Sequence, residues 1–269
     1  MLVAAAVCPC PPLLVPEVAS GAAPELDALR AASADAVAVL AASRPDLLIV
    51  VGPAEETQEG ICTAGTVGSF RGFGVDLGVR LGEAGGGADN DNDNGNGNGN
   101  GNGDGNGAEA GREGVSGNNG SRRTLPPSLA VAAWLLDRAR WAAAPVEGLG
   151  VGESPTPDQC MAAGRGLAAR AGRVALLAMG DGSACRTLKA PGYLDERAVD
   201  FDRRAADALG CADLDGLKAL DVSQARELKV SGRAPWQVLA GAGEGAGLEG
   251  RLLREDAPYG VGYFVAAWS

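Results

Sequence analysis

Two thiols, Cys8 and Cys10, stand at the end of a short apolar run and are interleaved with Pro9, Pro11 and Pro12. A thiolate is a nucleophile and a soft metal ligand, so this corner could serve covalent, redox or zinc chemistry. A third thiol, Cys185, lies in the stretch Gly180-Asp181-Gly182-Ser183-Ala184-Cys185-Arg186-Thr187. There Asp181 supplies a carboxylate, the glycines leave N–H groups free for an anion, and Arg186 could lower the pKa of Cys185. The plainer reading stands beside this one. The cysteines are then small buried hydrophobes, and the turn is tight with an aspartate bonded to its own backbone.

The chain contains no histidine. That excludes His-ligated metals, Ser-His-Asp and Cys-His nucleophilic systems, and imidazole acid–base work. Carboxylates, thiols, tyrosine, lysine and backbone groups remain. The six cysteines fall at 8, 10, 62, 160, 185 and 211. They are too scattered for a small disulfide framework, and no C-x2-C pair offers standard zinc spacing. The net charge of -11 argues against a nucleic-acid partner and against an anionic membrane surface. No apolar run is long enough to span a bilayer. No basic stretch precedes the first apolar run, so a cytoplasmic protein is expected.

These residues need elements to place them. Leu2 to Cys8 reads as a buried strand, which the prolines end as a stiff extended loop. A helix is expected over 24–43, begun by Pro24, and a central strand over 46–51, ended by Gly52-Pro53-Ala54. Together they suggest a parallel β-α-β unit. Residues 54–74 form a loop with acids at 55, 56 and 59, a lid or rim, and 75–81 an edge strand. Helices follow at 127–140 and from Thr156-Pro157 to about 171, flanking a strand at 146–151. The strand at 173–179 runs into the glycine-rich turn. Further helices are expected at 193–209, 213–220, 223–230 (capped by Ser223 and closed by Gly232) and 234–240. Two antiparallel strands, 249–254 and 259–268, close the chain. Trp134 and Trp141 read as packing residues. The fold class is α/β: one domain over 1–269, a mixed central sheet with helices on both faces. In such sheets ligands bind beyond the carboxyl ends of the strands, where Cys8 and Cys10 lie.

Residues 84–120 are a Gly/Asn-rich tract with no apolar cluster, read as a disordered surface insertion. Asn90 to Gly95 mimics the start of an EF-hand loop, but the twelfth position is Gly101 and no helices flank it, which argues against calcium.

The chain resembles the catalytic-subunit-B-like class III extradiol ring-cleavage dioxygenases, and within them a short actinobacterial branch. The resemblance rests on Val7-Cys8-Pro9-Cys10-Pro11-Pro12, Val50-Val51-Gly52-Pro53, Ala178-Met179-Gly180-Asp181-Gly182-Ser183 and the late Gly232 to Ala242 segment. It covers nearly the whole chain apart from the insertion. It implies the subunit-B-like fold and, in the family, iron(II) held by two histidines and a glutamate. Those ligands map onto Cys10, Ala54 and a position near Ser231, and an acid–base histidine maps onto Cys185 or Arg186. A facial triad needs two imidazoles and a carboxylate. Family iron and dioxygenase activity are therefore expected to be lost.

Three functions follow as expectations. The first is a non-catalytic scaffold that keeps the cleft for a small molecule or a protein partner. Its cleft is lined by Cys8, Pro9, Cys10, Pro11, Pro53, Ala54, Gly180, Gly182, Ser183, Arg186 and Ser231. The second is a repurposed thiol- or metal-dependent enzyme in which Cys10 and Cys185 meet across the cleft, helped by Cys8, Asp181 or Glu17, with zinc as the metal. The third is an interaction protein that works through residues 84–120.

Overall fold

The computed structural model describes residues 1–83 and 124–269. The insertion and its calcium-like run lie outside the described residues. In chain order the elements are β1 (Leu2–Cys8), α1 (Pro16–Ala19), α2 (Asp27–Ala42), β2 (Leu47–Pro53), β3 (Gly60–Cys62), β4 (Val67–Ser69) and β5 (Gly78–Arg80). After the undescribed stretch come α3 (Pro127–Arg138), β6 (Val146–Val151), α4 (Pro157–Ala168), β7 (Val174–Met179) and α5 (Arg197–Cys211). Then follow α6 (Leu214–Lys218), α7 (Val222–Glu227), α8 (Arg233–Gly243), β8 (Gly250–Asp256) and β9 (Tyr263–Trp268).

Among the described residues, seven strands form one mixed sheet in the order β3-β6-β2-β7-β1-β9-β8. β6, β2, β7 and β1 are parallel neighbours, while β3, β9 and β8 are antiparallel. All six residues of β7 are buried. Both faces of a central parallel strand are covered, so its sequence must be apolar throughout. The two-residue alternation splits the core in two. Ala4, Ala6, Cys8, Leu177 and Met179 pack in one cluster with α2 and α3 residues. Ala5, Val7, Leu176 and Ala178 pack in the other with residues of α4, α5 and α8. Among the described residues no helix is long and apolar enough to cross a membrane.

The expected β-α-β unit is present as parallel strands, but β7 lies between β1 and β2 and pairs with both. The helix expected from Pro24 begins instead at Asp27. Residues Ser20–Leu26 wind as a tighter helix of three residues per turn, with Pro24 inside it. Arg30, 7% exposed, holds this turn in place: it donates to Leu14 O at 3.1 Å, to Asp27 at 2.8 Å and to Ala23 O. The 54–74 stretch is more ordered than a plain loop. β3 joins the main sheet, and β4 pairs with β5 as a separate two-stranded sheet. Gly74, at φ +83°, makes the reversal between them.

Ser223 does not cap α7. The carboxylate of Asp221 does, accepting Gln224 N–H at 2.7 Å. The helix ends where Lys229 takes φ +56°, and Gly232 caps α8 instead. The helix expected from 193 starts at Arg197, because Tyr193 (φ +65°) turns the chain and Asp195 Oδ1 accepts the Arg197 N–H at 2.9 Å. At α4 the expected cap is in place as a reciprocal pair: Thr156 Oγ1 accepts Gln159 N–H at 3.3 Å and Gln159 Oε1 accepts Thr156 N–H at 2.8 Å. Thr156→Ala should cost about 1 kcal/mol of stability, read as a lower urea midpoint with an unchanged slope.

Candidate functional site

The chain leaves β1 at Cys8, whose carbonyl accepts the Gly180 N–H at 3.0 Å. The next turn is extended, with Pro11 at φ -66°, ψ 137°. This brings Cys10 over the end of β7, where its N–H donates to Asp181 Oδ1 at 2.8 Å. Asp181 is tied on its other side to the start of α8. Its own N–H donates to Ser231 Oγ at 3.0 Å, and its carbonyl accepts Gly232 N–H at 2.9 Å. Two glycines make this junction possible. A Cβ on Gly180 would land on Gly232 Cα, and one on Gly232 would land in the Trp236 ring.

β2 and β6 end on the same side. The carbonyl of Pro53 accepts from Ser128 Oγ at 2.6 Å, and Ala54 N–H donates to Val151 O at 2.9 Å. Beyond these strand ends lies a cleft of about 940 Å³. Cys10, Pro53, Ala54 and Ser231 line it, together with Glu55, Glu56, Glu59 and Glu153. The acids at 55, 56 and 59 are the rim expected from the loop. Sequence reading did not pick out Glu153, Gln159 or Ser128. The usable sign for Glu153 was its place just past the end of β6, where a parallel sheet collects its ligand-facing residues.

The electrostatics of the floor follow from burial. Desolvation pushes the Cys10 thiol well above its ordinary value and Asp181 adds to this, with a Ser231 hydrogen bond pulling the other way. Cys10 is therefore a neutral thiol. The Cys8 thiol is pushed up to about 12 by burial, against a hydrogen bond with Ser33 of α2. Asp181 is pushed up to about 7 by burial, offset in part by the Cys10 N–H. Tyr263 is raised by burial and then by Asp181 and Cys10. It borders the same cluster from β9.

Several expected site residues lie elsewhere. Cys8 packs among α2 and α3 residues. Pro9 and Pro11 are buried in the stiff turn. Cys185 and Cys10 do not meet. Cys185 belongs to the core cluster on the opposite face of the sheet, and its thiol reaches Leu228 O at 3.5 Å. Burial and Asp195 raise its pKa, so the lowered value expected beside Arg186 is corrected. Arg186 is held away by Asp202, at 3.0 Å.

Most backbone donors of the glycine-rich turn are already engaged within the protein. Gly182 N–H goes to Gly262 O at 2.7 Å, Ala184 N–H to Leu228 O at 2.9 Å and Arg186 N–H to Gly260 O at 3.0 Å. Ser183 gives both its N–H and its hydroxyl to Asp202, at 2.7 and 2.8 Å. Asp202 is fully buried on α5, and this network locks the turn to that helix. Asp181 bonds Cys10 rather than its own backbone. Glu17 stands apart from Cys10 and borders a second cleft of about 920 Å³ beside Trp134 and Trp141. Trp134 is 8% exposed, in keeping with packing.

The iron implied by the resemblance does not fit. Its three ligand positions offer a neutral thiol at Cys10, a methyl at Ala54 and, at Ser231, a hydroxyl already engaged by the Asp181 N–H. Among the described residues no group of three or more cysteines, aspartates, glutamates or histidines is arranged to hold a metal ion.

No protein-family model matches the chain, and no curated protein does. Among solved structures, the crystal structure of the uncharacterized protein JW3007 from Escherichia coli K12 is similar over 99% of both chains, with a TM-score of 0.53 and 13% sequence identity. At that identity the likeness shows a shared fold alone: a single α/β domain built on a mixed sheet flanked by helices.

Proposed function

We propose that this chain is an extradiol-dioxygenase-like scaffold that has lost the family's iron chemistry and binds a small polar molecule in the strand-end cleft. One observation carries the reading. Cys10, Ala54 and Ser231, the positions to which the resemblance assigns iron ligands, meet on one cleft, and their side chains form no facial triad. The cleft itself is well suited to binding. Its volume of about 940 Å³ matches small-molecule sites, and it mixes prolines and alanine with carboxylates.

Elemental analysis of untagged protein purified without chelators tests this reading. Transition metal should be far below one per chain, and anaerobic loading with iron(II) should give no oxygen uptake with catechol. Stoichiometric iron with oxygen-consuming ring cleavage would falsify it.

A further inference from the structure

Four of the eight large apolar side chains that stand exposed among the described residues fall within residues 188–199: Leu188, Tyr193, Leu194 and Val199. Scattered singly, such side chains need no explanation, but a cluster of them marks a contact surface. The stretch joins β7 to α5 and is fixed in shape. Gly192 N–H donates to Ala184 O at 2.8 Å, Tyr193 N–H to Ala190 O at 2.9 Å and Asp195 N–H to Cys185 O at 3.0 Å. This turn holds Tyr193 at φ +65°, a conformation that costs a bulky residue and suits glycine, and leaves it 64% exposed. A strained ring that stands mostly in water stabilises the fold little. Held rigidly, it is the kind of side chain that dominates protein contacts.

The charges of the stretch point to what meets it. Residues 186–204 carry five basic and four acidic side chains, so this face is near neutral on a chain of net charge -11. Most are engaged within the chain, in the ion pairs Arg186–Asp202, Asp195–Arg197 and Asp200–Arg203 and in a bond from Arg204 to Gln224. Two side chains remain, Lys189 and Glu196, one of each sign. Both are exposed, and neither has a side-chain partner among the described residues.

We propose that the 188–199 surface is the interface of a homodimer, in which a second copy of this chain lays Tyr193 and its aliphatic neighbours against their own counterparts. Two-fold symmetry brings residue i of one protomer to residue j of the other, and j to i. Lys189 of one protomer then meets Glu196 of the partner subunit, and the same pair forms a second time across the axis. A partner of different sequence would have to supply both charges independently; a second copy supplies them by symmetry. Copies of an acidic chain repel at long range, so they meet where the local charge balances.

Sedimentation velocity of the full chain, from low to high micromolar and under reductant so that the exposed Cys211 cannot crosslink, tests the interface. A reversible monomer–dimer equilibrium is expected. Tyr193→Gly removes the ring and suits the positive φ, so it should weaken dimerisation by about tenfold or more with no fall in melting temperature. Lys189→Glu and Glu196→Lys should each weaken self-association about tenfold, because each sets like charges across the axis twice. An equimolar mixture of these two variants should associate as the parent does, since the mixed dimer restores both opposite-charge pairs. A chain that stays monomeric at high concentration overturns the second copy as the occupant. A dimer that Tyr193→Gly leaves unchanged uses another face and overturns the surface. A mixture that associates no better than either variant alone overturns the two-fold pairing.

Discussion

Gly164→Ala is expected to lower stability by about 3 kcal/mol, although alanine is the better helix former. Gly164 lies in α4 where that helix crosses α8. A Cβ there would land on the Val238 carbonyl and 2.6 Å from Ala242 N. From the other side, a Cβ on Gly241 would land on the Met161 carbonyl and 2.6 Å from Met161 Cα. Both obstacles are backbone, so no side-chain rotation relieves them. The two helices must part. Because α8 begins at the Ser231–Gly232 junction, the floor of the cleft moves with it. Gly166, two residues further along α4, is exposed and has open space where its Cβ would be. Gly166→Ala should therefore stabilise by about 0.5–1 kcal/mol, by restricting the unfolded chain. Urea denaturation of the two variants checks the opposed signs. Equal effects would mean that the close crossing of α4 and α8 is not formed in solution.

Asp181→Asn should stabilise the protein at pH 8 by on the order of 2–4 kcal/mol. The pKa of Asp181 is raised in the folded state, from an ordinary 3.8 to about 7. Folding therefore favours its protonated form. Its contribution is most favourable below about pH 4 and is lost progressively as pH rises to about 7. Above that the fold carries the full cost of a buried charge. Asparagine removes the charge and keeps an oxygen to accept the Cys10 N–H. The melting temperature of the variant should exceed that of the parent at pH 8, and the gap should close near pH 4. A constant gap across that range would show that Asp181 is ionised in the folded protein throughout.

The local rules were legible residue by residue. Unbroken apolar runs announced β2 and β7. The Thr156-Pro157 pair announced the start of α4, and the prolines after Cys8 announced a chain that leaves the sheet stiffly. Ser223 and Pro24 mislead for a local reason. Asp221 competes for the same helix end two residues earlier, and three-residue turns ahead of Asp27 accommodate a proline. The lack of histidine is enough by itself to show that no imidazole of this chain can hold iron.

Side-chain placement across the sheet was a different matter. The separation of Cys10 from Cys185 depends on which face of the sheet each packs against. The placement of β7 between β1 and β2 depends on pairings between residues far apart in the chain. The bond from Cys10 to Asp181 spans 171 positions. Composition, the run of apolar residues and the turn chemistry follow from neighbours along the chain, so sequence alone determined most of the elements and the lack of any imidazole. Which strand ends converge, and hence that the Cys10 N–H meets the Asp181 carboxylate, was decided only by the tertiary structure. Strand order is set by hydrophobic burial over the whole domain, and no short window of residues encodes it.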